Sequence, residues 1–228
     1  WIVSRDDLFS SASEVRCTRV TVPRESTHFL VDYLNPGGRI TLYTSHNCAS
    51  DASEFLVPDD VNALTGAPVR SDLVGFFASG TDLNALGRYV IDANAGVVVQ
   101  SKTLFDEPCM TGMAALYTHK GMAVPDTYGN VYWASPGFSE ELRIERVEAL
   151  YADYPYRTRA IADMPEQTIP GSIFRVDNPT LSLKDQYIFP SGRLPVTPQF
   201  VPREGSASDT DGYIVVVVLS DDDSTEGS

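Results

Sequence analysis

The chain has 228 residues, 43% hydrophobic and 10% aromatic, which is enough to bury a substantial core. Its formal net charge of −14 argues against nucleic acid as a partner, because phosphate binding needs clustered Lys and Arg. Cys17, Cys48 and Cys109 are odd in number, widely spaced and without a CxxC pair, which argues against a disulfide framework or zinc knuckle and implies a reducing compartment.

Strand signals dominate from the start. "VRCTRVTV", "THFLVDYL" and "RITLYTS" are short runs rich in β-branched and aromatic residues, the last two joined by Asn35-Pro36-Gly37-Gly38, a strong hairpin turn. "VPDDVNALTGAPVRSDL" reads as a polar connecting segment. "GRYVIDA" and "GVVVQSKTLF" follow, separated by a turn over 92–96, and "GNVYWAS" comes after a second turn over 126–130. "SEELRIERVEALYADYP" is divided between helix, opened by a Ser139 cap, and strand. "GSIFRVD", "DQYIFP" and "GYIVVVVLS" close the series, the last after Asp209-Thr210-Asp211-Gly212. Many short antiparallel strands with no βαβ alternation imply an all-β sandwich, barrel or propeller, and hairpins recurring every 40–60 residues or so suit propeller blades. No apolar run approaches the roughly 18–20 residues that span a bilayer, and no signal peptide is visible. A first residue other than Met, and a polar ending just after an apolar strand, give the expectation that 1–228 is part of a longer polypeptide.

The candidate chemistry is sparse. His28 shares one face of its strand with Leu30 and Asp32; a neutral imidazole there is either a metal ligand or a half-buried residue satisfied by backbone. His46, beside Asn47 and Cys48, reads as a loop residue or a second ligand candidate, and His119 as a solvated turn. No HExxH and no two-histidine-plus-carboxylate cluster is present. There is no GxSxG elbow; Cys109, in "DEPCMTGM", reads as a small buried hydrophobe rather than a nucleophile. Glu140/Glu141 and Asp221 to Asp223 read as solvated charge runs.

Two separated stretches resemble the carotenoid cleavage oxygenases, a family that includes stilbene-cleaving relatives. In the first, residues 2–43, His28 holds the histidine place of an H-x-x-N-A-Y/F-like setting and Tyr33 its aromatic place, while Val31-Asp32 replaces the usual Asn-Ala. In the second, Phe200-Val201-Pro202-Arg203 and Asp211-Gly212-Tyr213 match an F-V-P-R, acidic linker, D-G-Y signature. "GSIFRVDNPTLSL" between them is similar to the blade strand and turn that precede it. The resemblance implies part of a seven-bladed β-propeller whose axial Fe(2+), held by four histidines, activates O2 to cleave a conjugated carbon–carbon double bond. On that plan residues 1–228 are a single propeller segment lacking the blades that carry the remaining ligands, and only His28 falls on a ligand position. Met110 stands where the family carries a glutamate that orients a ligand, and Glu107 substitutes for it only through a shift of register.

The reading that follows is a segment of a non-heme iron dioxygenase, inactive by itself. Its partners would be an apolar polyene or stilbene-like molecule, O2, the remaining blades and a peripheral membrane surface, with a cytoplasmic location. The alternative is a non-catalytic β-propeller binding or structural module, suggested by Met110 and Val31-Asp32. A third reading is an unrelated β-sandwich.

Overall fold

After a two-residue ladder near the start, alternation of apolar and polar residues builds three larger antiparallel units among the described residues, each laid down strand by strand in chain order. The computed structural model describes residues 1–26, 28–32, 34–47, 54–78, 81–111, 115–117 and 126–220, with backbone alone for 115–117. Strand β1 (Ile2–Val3) pairs with β2 (Cys17–Thr18), far shorter than the expected strand there, and helix α1 (Arg5–Leu8) lies between them. The first four-stranded sheet contains β3 (His28–Val31), β4 (Arg39–His46), β5 (Ala85–Asp92) and β6 (Val97–Leu104). The second contains β7 (Ala115–Tyr117), β8 (Asn130–Ser135), β9 (Ser172–Asp177) and β10 (Ser182–Ile188). β11 (Arg193–Pro202) and β12 (Gly212–Ser220) form a third, two-stranded unit.

The Asn-Pro-Gly-Gly turn does what its residues dictate: Gly37 and Gly38 take φ of 66° and 70°, conformations that cost other residues energy, and return β3 onto β4. Residues 57–73 form turns and isolated bridges, as a connecting segment should. The segment divided between helix and strand is helical: a 3-10 turn at Glu140–Leu142 precedes α2 (Glu145–Tyr151), and Ser139 Oγ accepts from the Glu141 amide at 3.3 Å. β11 carries Pro195, Pro198 and Pro202, yet forms a strand because it is first in its unit and is broken by a bulge between Val196 and Gln199, where Thr197 takes φ of 50°.

The main core lies between the first two sheets. Leu86, Cys109, Met110, Val131, Trp133, Phe174 and Val176 are buried together there, with Leu30 and Leu104 packed against them. The turn that opens β8 is gripped from both neighbouring units. Asp32, just after β3, accepts from the Tyr128 amide at 3.0 Å and Tyr43 Oη at 3.3 Å. Asp209, from the β11–β12 connection, accepts from the Asn130 amide at 3.0 Å and Asn130 Nδ2 at 3.1 Å. The acidic stretch before β12 is thus a latch between units as well as a turn. Asp209→Ala is expected to lower stability by about 1–3 kcal/mol, since it strands a backbone donor, whereas Asp209→Asn is expected to lose less; urea midpoints at unchanged m measure both.

Candidate functional site

Pairing register fixes where His28 stands. It opposes Ser45 on β4, which opposes Leu86 on β5, which opposes Leu104 on β6. His28 therefore opens the first strand of its sheet, at the end where β6 hands the chain to Glu107. The first strands β3, β7 and β11 of successive units neighbour one another. Burial along β3 does not follow the expected alternation but deepens along the strand: His28 and Phe29 are exposed, Leu30 and Val31 are half-buried with Leu30 packed against the core, and Asp32 just beyond is 6% exposed. Among the described residues, the His28 ring makes no hydrogen bond or ion pair, and no group of three or more His, Cys, Asp or Glu converges on a point.

The other sequence candidates divide sharply. His46 is fully buried at the end of β4, with both ring nitrogens engaged, and is a strand residue rather than a loop. Nδ1 lies 2.9 Å from the Glu25 carbonyl, which can only accept, so Nδ1 carries the proton and Nε2 accepts from Tyr89 Oη at 2.7 Å. Glu107 pairs with Arg159 at 3.0 Å, and Arg159 also lies over the Phe105 ring. Met110 is fully buried in the main core. Cys109 is fully buried too, its thiol pushed up to about 12, first by burial and then by Asp106, so it is no nucleophile at neutral pH. Cys17 is exposed. Tyr33, Cys48, His119 and Asp221 to Asp223 lie outside the described residues.

Sequence reasoning missed Asp82. It is 1% exposed and accepts from the Leu83, Thr158 and Arg159 amides at 2.8, 2.7 and 3.1 Å, while burial pushes its pKa up. Its role is to hold the 157–159 loop, which brings Arg159 to Glu107. No local pattern announces a contact between positions 76 residues apart.

Burial lowers the His46 pKa from 6.5, with the Glu25 carbonyl opposing and the nearby Arg24 charge adding to the shift. The sign follows from proton uptake. Below pH 6.5 the unfolded chain binds a proton at His46 that the folded chain resists, so stability falls as the pH drops from 6.5 toward the folded value and is flat in this respect above 6.5. Thermal melts of the wild type are expected to lose stability between pH 7.5 and pH 5.5 or so, and His46→Asn is expected to flatten that slope.

Antiparallel meanders whose first strands lie side by side are blades, and the fold is part of a β-propeller. The family model described as retinal pigment epithelial membrane protein matches residues 1–228, so the chain belongs to that family, the carotenoid oxygenase family. Among curated proteins no sequence match is found. Among solved structures, cobalt-substituted Synechocystis ACO, an apocarotenoid oxygenase, is similar over 92% of this chain and 34% of its own, at 16% identity and a TM-score of 0.51. A point mutant of the same Synechocystis protein gives 17% identity and a TM-score of 0.51 over the same shares. At such identities the likeness establishes the fold alone, and the chain spans about a third of the length of these relatives.

Iron, which the family implies, can be tested against the residues present. One accessible imidazole without a second donor beside it does not hold a ferrous ion, and the described residues by themselves do not fit the metal.

Proposed function

We propose that this chain is a segment of a non-heme Fe(II) dioxygenase that cleaves a conjugated double bond of a carotenoid, apocarotenoid or stilbene-like molecule with O2. The observation that carries the reading is His28. In a chain whose whole length matches the family, the residue at the ligand place of the motif opens the innermost strand with its ring accessible and uncommitted. In this proposal His28 supplies one ligand, and further blades of the same protein supply the rest. The outward face of the third unit supports further blades: Tyr213, Val215, Val217 and Leu219 alternate along β12 and are each 54–59% exposed, an apolar stripe that suits another β-layer. Glu107 is assigned no part in orienting His28 while Arg159 holds it.

An apolar substrate suits contact with a membrane surface, and a cytoplasmic location belongs to the same proposal. Among the described residues no helix is long and apolar enough to cross a membrane. A non-catalytic propeller module is the second reading. It is favoured by Met110, which is sealed in the core where the family carries a glutamate. Incubating the full-length protein with iron, O2 and an apocarotenoid or stilbene separates the two. O2-dependent aldehyde products support the dioxygenase; a folded full-length protein that binds no iron and forms no product leaves the module.

A further inference from the structure

His46 has a built niche. Its ring is fully buried on the face of the first sheet opposite that of Ser45, and a Cβ placed on Gly87 would come within 2.5 Å of Nε2 and 2.6 Å of the Tyr89 ring. The space beside the imidazole therefore exists because residue 87 is glycine. Tyr89 meets the imidazole edge-on at 5.6 Å between centroids, and its hydroxyl supplies the proton that Nε2 accepts. What the ring grips is the chain just ahead of β3. Nδ1–H donates to the carbonyl of Glu25, three residues before His28. The far side of the same segment is tied to the 151–159 loop. Tyr154 Oη donates to Glu25 Oε1 at 2.8 Å, Arg24 Nη1 donates to Thr158 Oγ1 at 3.3 Å, and the Thr158 amide is itself held by Asp82.

We propose that His46 is a positioning residue: its Nδ1–H bond to Glu25, braced by Tyr89, fixes the path of the chain into β3 and so the point from which His28 projects. Three residues span at most about 10 Å, so a displaced Glu25 carries the start of β3 with it. His46 cannot itself ligate a metal while both nitrogens are engaged. The consequence for iron rests on the reading of His28 as a ligand; the positioning does not.

Hydrogen exchange by mass spectrometry on the full-length protein tests this, with iron affinity measured alongside. In His46→Leu, peptides covering Glu25 to Leu30 are expected to exchange at least tenfold or so faster, while peptides in β8 and β9 stay protected. His46→Asn, whose amide N–H can replace Nδ1–H, is expected to restore most of the protection. Iron affinity of His46→Leu is expected to fall about 10–100-fold, in the range of lost outer-shell support. Unchanged exchange over Glu25 to Leu30 overturns the proposal. So does faster exchange spread equally over all blades without rescue by Asn, which is the signature of a merely structural residue. If His46→Leu does not fold, Tyr89→Phe removes only the brace: about threefold faster local exchange supports the proposal, and no change contradicts it. Wild-type protein without iron affinity would sink the ligand role of His28, and the exchange result would still decide the role of His46.

Discussion

Glu148→Ala is expected to destabilise the chain by about 3–5 kcal/mol, because it leaves a buried guanidinium without its counter-charge. Arg143 and Glu148 side chains are 6% and 9% exposed and form a two-pronged pair, Nε to Oε1 at 2.5 Å and Nη2 to Oε2 at 3.1 Å. The remaining guanidinium hydrogens reach the carbonyls of Ile161, Met164 and Pro165 at 3.3–3.4 Å. One cation thus staples α2 to the 161–165 turn within the long β8–β9 connection, which also carries Thr158 and Arg159 to Asp82 and Glu107. The Arg143→Met/Glu148→Leu double variant is expected to lose less than Glu148→Ala, since an apolar pair removes both desolvated charges. Urea denaturation at constant m measures both, and a loss below about 1 kcal/mol for Glu148→Ala would contradict the account.

Local chemistry made most of the sheet structure legible. Period-two alternation with β-branched and aromatic residues located β3, β4, β6, β8, β9 and β12, and glycine at positive φ located the β3–β4 turn. β11 stayed hidden because Pro195, Pro198 and Pro202 break every interior-strand rule; it exists because an edge and a bulge leave those positions without obligatory ladder bonds. The departure at Val31-Asp32 also has a physical reason. Asp32 is a buried acceptor that reaches the Tyr128 amide, 96 residues on. Burial first, and the Asp32 charge after it, push the Tyr43 hydroxyl up to about 12. Of the candidate site, only His28 was visible, through a motif. The roles of His46, Gly87 and Asp82 come from register and from contacts 21–77 residues apart, and no local pattern carries those.

His28→Ala is the second substitution with a large expected effect, and its direction differs from the first. The side chain is exposed and makes no hydrogen bond among the described residues, so folding stability is expected to change by less than about 0.5 kcal/mol. If His28 is a ligand, as proposed, iron affinity of the full-length protein is expected to fall by more than the roughly 10–100-fold typical of losing an outer-shell partner. Loss of metal without loss of fold is what separates a ligand from a packing residue.

Metal analysis of the full-length wild type and its His28→Ala variant, purified side by side under anaerobic ferrous conditions, is the most direct measurement. The account predicts about one iron per wild-type chain and almost none in an equally folded variant. Equal iron in both would contradict it, and His28 would then be an exposed residue at the end of a propeller strand.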